Sequence, residues 1–418
     1  MELKNKKVTI IGAARSGIAA ATLVQQLGGR PKITDAKPLA AIEQALAEVG
    51  DRSLIDIESG GHTRGFVTDS DLVVASPGVK RDAEPVRWAQ EAGIPVWSEI
   101  ELAWRYCKKP VIAVTGSNGK TTTVTLIARV LEAGGRKVCL CGNVGTPFSR
   151  FVLSQDTPDY FVVEISSFQL ELVETFRPRV AVLLNFSQNH LDRHADMQEY
   201  FDAKKRICMN QTPEDFVVLN ARDEMVCRLA GEVRSQVRLF NREGETRNPD
   251  HLAVLEVARI VGVPDEVTLR VFETFPGVEH RLEKVRLLNG VEYINDSKST
   301  TVESGRWALS NVPGPIILLC GGHDKGMDYS VLRELVGKTV RKMIVLTREE
   351  VARQSLHQAF EGVVPLEDQS DMEAAVRSAC AQARHGEKVL LSPMFASFDM
   401  FTNFEERGRV FKEIVNRL

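Results

Sequence analysis

The sequence predicts an α/β protein of three domains built mainly on parallel sheets. Its 418 residues are enough for about three domains at ~150 residues each. Short β-branched runs alternate with amphipathic helical patterns along most of the chain, which is typical of βαβ units. Several strand runs are apolar without interruption, so we expect helices to cover both faces of each sheet.

The apolar and helical patterns place individual elements along the chain. Strands are predicted at 8–11, 72–75, 111–115, 160–165, 180–185, 216–220, 316–320, 343–346 and 389–392. Helices are predicted at 16–27, 99–107, 120–133 and 372–383. The pattern breaks near 96–98 and again at Pro276 and Gly277, so we predict domains at 1–98, 99–277 and 278–418.

Composition and charge exclude several classes of protein. The net charge of −3, without a long basic run, argues against nucleic-acid binding. No apolar stretch reaches the ~18 residues that a membrane span needs. The seven cysteines are scattered and form no C-x-x-C pair, which favours neither a zinc site nor a disulfide framework. We therefore expect a soluble, reduced, cytoplasmic protein with no nucleic-acid partner and no membrane insertion.

A glycine-rich segment, AVTGSNGKTTT at 113–123, lies between an apolar strand and a predicted helix. Glycine N–H groups can surround phosphate oxygens there, and the helix N-terminus adds partial positive charge. Lys120 can reach the β- and γ-phosphates, and the Thr121 hydroxyl can bind Mg²⁺. Val114 replaces the first glycine of the full phosphate-loop pattern. The segment predicts a nucleoside triphosphate site formed by Gly116, Ser117, Asn118, Gly119, Lys120, Thr121 and Thr122.

The first domain carries a partial dinucleotide fingerprint. Gly12 and Gly17 lie between a strand and a helix, and Asp35 ends the next strand, but the middle glycine is missing. This pattern fits a nucleotide site and plain strand–helix packing equally well. A second loop, Ser-Pro-Gly at 76–78, follows another strand and favours a ligand crevice at the carboxyl edge of the sheet.

Polar side chains also follow later strands. Glu164, His190 and Lys204 could be a helix cap, a loop histidine and part of a solvated helix face. Because they follow a phosphate loop within one domain, they together indicate Mg²⁺-assisted phosphoryl transfer. In the third domain, the loops 293–301, 319–326 and 391–399 also follow strands, where ligands bind in open α/β sheets.

The order of these motifs resembles the Mur ligase family, the ATP-dependent amide-forming enzymes of peptidoglycan precursor synthesis. The resemblance covers nearly the whole chain and is carried by TGSNGKTTT, GNVG, EISSFQLE, NHLDRH, AKKRI, HRLE, NDSKST, GGHDKG and SPxxASFDxFxNFExRG. The last two loops most resemble members that add D-glutamate to UDP-N-acetylmuramoyl-L-alanine. The Asp-Asn-Pro-Arg signature of members that add diaminopimelate or lysine is absent from the sequence.

The resemblance implies a Rossmann-like UDP-binding domain, a central ATPase domain with a parallel sheet, and a C-terminal Rossmann-like domain that binds the amino acid. It implies that the alanyl carboxylate takes the γ-phosphoryl group of ATP and that the amine of glutamate then displaces phosphate. ATP and two Mg²⁺ ions are the implied cofactors. We expect a monomer.

The resemblance also implies roles for individual residues. The catalytic set is Lys120, Glu164, His190, Lys204, Arg281 and Lys298. Thr121 and Glu164 would hold one Mg²⁺, and His190 with a carbamylated Lys204 would hold the second. Asp296 would bind the ATP ribose. The UDP-sugar would contact Arg15, Ser16, Asp35, Ser76, Pro77, Gly78, Asn143 and His190, and the glutamate would contact Thr300, Lys325, Ser397, Phe398 and Phe404.

One segment departs from the family pattern. Between Asn241 and Val254 the chain is shorter than the family's, which carries small strands and a Gly-x-His-Asn-type motif whose asparagine contacts adenine. Alignment places Arg247 or Asn248 near that position, so the adenine contacts are left open.

Alternative functions remain to be compared with this interpretation. They are a sibling or folylpolyglutamate-type ligase using another amino acid such as L-glutamate, a non-catalytic nucleotide-binding regulator on the same fold, and an NAD-dependent oxidoreductase. A regulator would be expected to lack Lys120, Glu164, His190 or Lys204, all of which are present. An oxidoreductase leaves TGSNGKTTT unexplained, and a folylpolyglutamate-type enzyme would open directly with the ATPase domain.

Overall fold

A computed structural model describes residues 2–187 and 193–418 of the chain. Its internal contacts divide the chain into a first unit, 1–275, and a second unit, 276–418. The first unit contains a five-stranded and a six-stranded sheet, and the second contains a six-stranded sheet. Within the described residues, no helix combines the length and the apolar character that crossing a membrane requires.

The first sheet is parallel, with strand order β3-β2-β1-β4-β5. Its elements are β1 (Lys7–Ile11), α1 (Arg15–Gln26), β2 (Arg30–Asp35), α2 (Leu39–Leu46), β3 (Asp56–Ser59), α3 (Arg64–Thr68), β4 (Leu72–Ala75), α4 (Glu84–Glu91) and β5 (Val96–Ser98). Strand order reverses between β1 and β4. The loops that follow these two strands therefore border a crevice at the carboxyl edge.

The second sheet is also parallel, with order β11-β10-β9-β6-β8-β7. Its elements are α5 (Glu99–Tyr106), β6 (Val111–Thr115), α6 (Lys120–Ala133), β7 (Val138–Gly142), β8 (Tyr160–Glu164), α7 (Ser167–Leu170), β9 (Val180–Leu183), α8 (Met197–Lys205), β10 (Phe216–Asn220), α9 (Glu224–Arg228), β11 (Gln236–Phe240), α10 (Pro249–Ile260) and α11 (Asp265–Thr274). β6 lies between β8 and β9, so the loop after it is flanked by the ends of both neighbours.

The third sheet is mixed, with order β12-β13-β17-β14-β15-β16. Its elements are β12 (Glu283–Leu288), β13 (Val291–Asn295), α12 (Val302–Asn311), β14 (Ile316–Cys320), α13 (Arg333–Thr339), β15 (Val340–Leu346), α14 (Glu350–Phe360), β16 (Leu366–Gln369), α15 (Met372–Gln382), β17 (Lys388–Leu391) and α16 (Phe404–Arg417). β12 pairs antiparallel with β13, and the other pairs are parallel.

The central sheet shows why unbroken apolar strands predict buried parallel sheets. Ile112 and Val114 of β6 pack on one face with α6 and α10. Val111 and Ala113, the alternate residues, pack on the other face among Phe148, Phe176 and their neighbours. The predicted α/β class is therefore confirmed. The predicted helix at 120–133 has the same bounds as α6.

Gly17, in the first turn of α1, shows how closely α1 approaches the loop after β1. A Cβ at this position would lie 1.9 Å from the Gly12 carbonyl oxygen and 2.9 Å from Ser76 Oγ. The glycine of the fingerprint is therefore required for packing of the helix against both loops of the crevice.

We expect Gly17→Ala to lower the free energy of unfolding by about 1–3 kcal/mol, because a backbone atom must move to admit the methyl group. The measurement is the thermal unfolding midpoint. The control is Gly65→Ala in α3, where nothing lies within 4 Å of the place that the added methyl group would take. That variant should leave the midpoint within a degree or two of wild type. Equal midpoints for both variants would contradict the prediction.

Candidate functional site

The glycine-rich loop after β6 folds around the first residue of α6. Lys120 Nζ donates to the carbonyl oxygens of Gly116 and Ser117, both at 2.9 Å. Gly119 has φ +81°, and a Cβ there would lie 2.4 Å from Asp250 Oδ1. The loop therefore needs glycine at 119 for two reasons, its backbone conformation and the adjacent carboxylate.

The segment after β9 holds this loop in place. The Ser117 N–H donates to the Asn185 carbonyl at 3.0 Å, and the Asn118 N–H donates to Asn185 Oδ1 at 2.9 Å. Ser117 Oγ donates to the Ser187 carbonyl at 3.1 Å. These bonds fix the loop against the neighbouring strand, as a preorganised phosphate site requires.

Glu164 lies at the centre of a buried polar group. Thr121 Oγ1 donates to Glu164 Oε2 and Asn143 Nδ2 donates to Glu164 Oε1, both at 2.7 Å. Glu164 does not cap the following helix, because Ser166 caps α7 in a capping box with Gln169. A hydroxyl and a carboxylate beside a phosphate loop are the oxygen ligands that suit Mg²⁺.

Lys204, near the end of α8, points into the same loop. Its Nζ donates to the Gly116 carbonyl at 2.9 Å, and the side chain is buried. Burial, with a contribution from the charge of Lys120, lowers the pKa of Lys204 well below its usual range. Lys205 instead forms an exposed ion pair with Glu232. His190, the other predicted ligand, lies outside the described residues.

A cavity of about 520 Å³ occupies the crevice of the first sheet and extends to the loop after β7. Seven of the residues predicted for the UDP-sugar line it: Arg15, Ser16, Asp35, Ser76, Pro77, Gly78 and Asn143. Lys37, His62 and Gln169 also line it and were not predicted. Gln169 lies within the EISSFQLE motif, which could have pointed to it, whereas Lys37 and His62 follow strands outside any quoted motif.

The two crevice loops are tied together by hydrogen bonds. Asp35 accepts from the N–H groups of Ala13 at 2.7 Å and Lys37 at 2.8 Å. Ser76 Oγ donates to the Gly12 carbonyl at 3.0 Å. Asp35 therefore lines the cavity and also holds the backbone in place at Ala13 and Lys37.

In the second unit, three loops meet at the carboxyl edge of the sheet. Lys325 Nζ donates to the Thr300 carbonyl at 3.3 Å, which joins the loops after β13 and β14. Ser397 is buried, whereas Phe398 is 70% exposed. Phe404 begins α16, and Lys298 Nζ lies 5.8 Å from its ring centroid. The structure thus brings these predicted residues to one edge.

Asp296 and Arg281 lie on neighbouring loops of the second unit. The Asp296 carboxylate accepts from Ser392 Oγ at 2.9 Å and from the Leu282 N–H at 3.2 Å, and it is buried. Arg281 Nε is buried without a hydrogen-bond partner in the described part of the chain. Burial raises the pKa of the Asp296 carboxyl group, and the charge of Arg281 acts on that group to lower it in part.

The shortened segment near 241–254 forms a turn between β11 and α10. The Asn248 side chain caps α10 by accepting from the Asp250 N–H at 2.8 Å, and Arg247 is exposed. His251 stacks on Phe272 with ring centroids 4.2 Å apart. The Asn248 amide oxygen is therefore already used by the helix.

A phosphate loop, a buried hydroxyl–carboxylate pair and a nucleotide-sized cavity at adjacent sheet edges define a nucleotide-dependent α/β enzyme. Three family models match the chain: a MurD-like Mur ligase N-terminal domain at 6–98, the Mur ligase middle domain at 114–289, and the Mur ligase glutamate ligase domain at 280–395. The chain belongs to the Mur ligase family and is an ATP-dependent ligase.

Named relatives match along their full length. The UDP-N-acetylmuramoylalanine–D-glutamate ligase of Koribacter versatilis is 37% identical, with 100% of this chain and 99% of the relative covered. The enzyme of the same name from Geotalea uraniireducens is 39% identical at the same coverage. The predicted family resemblance is confirmed.

Solved structures share the fold. The UDP-N-acetylmuramate–alanine ligase MurC of Thermotoga maritima has a TM-score of 0.62 at 17% identity, with 99% of this chain and 100% of that chain covered. E. coli FolC in complex with ADP has a TM-score of 0.58 at 16% identity, and covers 75% of this chain and 91% of its own. At these identities the likeness concerns the fold alone.

The buried carboxyl group of Asp296 makes the free energy of unfolding depend on pH. Burial raises the pKa of Asp296 to about 7, whereas an aspartate in the unfolded chain titrates near ~4. Between these values the folded chain binds the proton more tightly, so this group's contribution to stability falls as pH rises. Between pH 4 and pH 8, we expect the free energy of unfolding of Asp296→Asn to fall by about 1–3 kcal/mol less than that of wild type.

The measurement is the thermal unfolding midpoint of wild type and variant across this pH range. Ser392→Ala is the companion variant. Because the Ser392 hydroxyl bond lowers the pKa of Asp296, its removal should make the fall steeper at neutral pH. If the unfolding midpoints of wild type and Asp296→Asn changed with pH in parallel, the raised pKa of Asp296 would be contradicted.

Proposed function

We propose that the protein joins D-glutamate to UDP-N-acetylmuramoyl-L-alanine at the expense of ATP, in cytoplasmic peptidoglycan precursor synthesis. The observation that carries the proposal is Asn143, which lines the cavity and also donates to Glu164, the partner of Thr121. Through Glu164, Asn143 therefore links the nucleotide-sized cavity to Thr121, the second residue of α6 after the phosphate loop. The names of the 37–39% identical relatives support the substrates.

In the proposed reaction, the cavity holds the UDP moiety and directs the alanyl carboxylate towards the phosphate loop. A carboxylate oxygen attacks the γ-phosphorus, the bond to ADP breaks, and an acyl phosphate forms. The amine of D-glutamate then attacks the acyl carbon, loses a proton, and inorganic phosphate leaves. Lys120 faces the phosphates and supplies positive charge where negative charge develops.

The Thr121 hydroxyl and the Glu164 carboxylate are oxygen donors that would hold one Mg²⁺ ion. By resemblance to the family, His190 and a carbamylated Lys204 would hold a second ion. When bound, these ions would neutralise phosphate charge. Carbamylation requires a neutral amine: the Lys204 nitrogen bonds to the carbon of CO₂, and the N–H proton leaves. The lowered pKa of Lys204 favours that reaction. A carbamate oxygen can bind a cation, which an ammonium cannot do.

We further propose that 1–98, 99–277 and 278–418 act as the UDP-binding, ATP-binding and amino-acid-binding domains of a monomer. Thr300, Lys325, Ser397, Phe398 and Phe404 would form the glutamate pocket, and Arg281, Lys298 and Asp296 would contact the nucleotide. A folylpolyglutamate-type function is less well supported, because the FolC structure covers only 75% of this chain whereas a MurD-like model matches 6–98.

The test is phosphate release from ATP with UDP-N-acetylmuramoyl-L-alanine and D-glutamate, L-glutamate or no amino acid. We expect release that requires both the UDP-sugar and D-glutamate. Lys120→Met is the negative control and should reduce release to background, because the loop then lacks its cation. Equal release with L-glutamate would contradict the stereochemistry. No release with any amino acid would contradict the ligase proposal for this chain.

A second test concerns Lys204. We expect Lys204→Ala to lose about 100-fold in activity through loss of a metal ligand, with partial recovery when formate, acetate or propionate supplies the missing carboxylate. The matched control is Lys205→Ala, which removes the exposed neighbouring lysine and should retain wild-type turnover. Unimpaired turnover by Lys204→Ala would exclude the role.

A further inference from the structure

Arg193 connects the wall of the cavity of about 520 Å³, which we call the UDP cavity, to the segment of α7. Its Nη2 donates to the Val79 carbonyl at 2.7 Å, and its Nη1 donates to the Gly78 carbonyl at 3.2 Å. Gly78 and Val79 both line the cavity. The guanidinium thus holds a stretch of the cavity wall by two backbone carbonyls that are more than a hundred residues away in sequence.

The other side of Arg193 is fixed to the end of α7. Nη2 also donates to Glu171 Oε2 at 3.0 Å, and the guanidinium carbon lies 4.8 Å from the Phe168 ring centroid. The side chains of Arg193 and Glu171 are 8% and 10% exposed. A buried, charge-assisted pair of this kind has a defined geometry, unlike an exposed ion pair.

The neighbouring His194 fixes the backbone at this point. Its Nε2 lies 3.1 Å from Ser167 Oγ, and its ring lies between those of Phe168 and Tyr200, at 5.6 and 5.1 Å. Tyr200 OH is in turn 3.3 Å from Ser117 Oγ of the phosphate loop. A continuous set of contacts therefore runs from the cavity wall through residues 193–194 to the phosphate loop.

We propose that Arg193, held by Glu171, is a positioning residue that fixes the UDP-cavity wall at Gly78–Val79 relative to the phosphate loop. The Arg193 guanidinium bonds to the cavity wall and to Glu171, so its assigned role is positioning and not catalysis. This inference rests on the proposed function, because the bound UDP-sugar must present its carboxylate within reach of the γ-phosphate, and misplacement by ~1 Å can cost about 100-fold in rate.

The test is Arg193→Lys, which keeps the charge but cannot serve two carbonyls and a carboxylate in one plane. We expect kcat/KM for UDP-N-acetylmuramoyl-L-alanine to fall at least ~10-fold, while KM for ATP stays within about twofold. Glu171→Gln should change the same parameter, and the double variant should lose less than the product of the single losses, because both residues form one contact.

The matched control is Arg105→Lys. Arg105 also joins a segment of the first sheet to a segment of the second. Its Nη2 lies 2.9 Å from Glu174 Oε2, and its guanidinium carbon lies 4.0 Å from the ring centroid of Trp97 in β5. Arg105 does not line the cavity. We expect it to lower the unfolding midpoint without changing kcat/KM for the UDP-sugar. This control separates positioning of the cavity wall from general loosening.

Wild-type kcat/KM for the UDP-sugar in Arg193→Lys and in Glu171→Gln would overturn the inference, as would an equal fall in Arg105→Lys. Calorimetric binding of UDP-N-acetylmuramoyl-L-alanine to wild type and to each variant needs no turnover. Binding therefore tests the role of Arg193 at the cavity wall even if the wild-type protein shows no D-glutamate-dependent phosphate release. That absence would refute the proposed function but not this inference. Unchanged affinity in both variants would then overturn the inference.

Discussion

The Glu164 carboxylate is the group on which the central site depends. It is 2% exposed, and a buried carboxylate is costly unless hydrogen bonds replace its hydration. Thr121, in the first turn of α6, and Asn143, in the loop after β7, supply those bonds. They can do so because β8 lies between β6 and β7, so parallel pairing brings the carboxyl ends of all three strands together. Gly142 permits the approach, since a Cβ there would lie 2.3 Å from the Glu164 carbonyl oxygen.

Two lysine side chains share one backbone carbonyl of the phosphate loop. Lys120 and Lys204 both donate to the Gly116 carbonyl at 2.9 Å. Burial penalises the charged form of an amine, and two ammonium groups on one acceptor also repel each other. Lys204 is the more deeply buried of the two, so burial, with a contribution from the charge of Lys120, lowers its pKa. An anionic phosphate or a carbamate on Lys204 would each relieve the repulsion, so the loop is arranged for negative charge.

The parts of the fold that could be predicted from the sequence are those that depend on residue patterns within one element. β6, β10 and β14 are apolar on both faces and were predicted as strands with the same bounds. β12 and β16 were not predicted, because their residues are half-exposed and mix charged with apolar side chains. The glycine-rich loop and the lining residues near Gly12 and Ser76 follow from the turn chemistry at strand ends.

Long-range contacts of single side chains could not be predicted in the same way. The bond of Arg193 to Val79 spans 114 residues, and that of Arg407 to Ser297 spans 110. No periodicity or local spacing encodes such a contact. The role of Lys204 remains a prediction from the family resemblance. The structure shows that the Lys204 amine donates to the Gly116 carbonyl of the phosphate loop, whereas the Lys205 amine forms an exposed ion pair.

Arg193 and Arg407 show that both units stabilise the loops after their parallel strands by the same physical means. Loops after parallel strands leave carbonyl groups without ladder partners, and a buried carbonyl needs a donor. Arg407 is 2% exposed and donates to the carbonyls of Ser297, Phe395 and Ala396. One planar guanidinium carries five N–H donors and can satisfy several carbonyls from different loops, whereas a neutral carboxamide has only two N–H donors. The positions of these loops therefore depend on arginine geometry as much as on the sheets from which they arise.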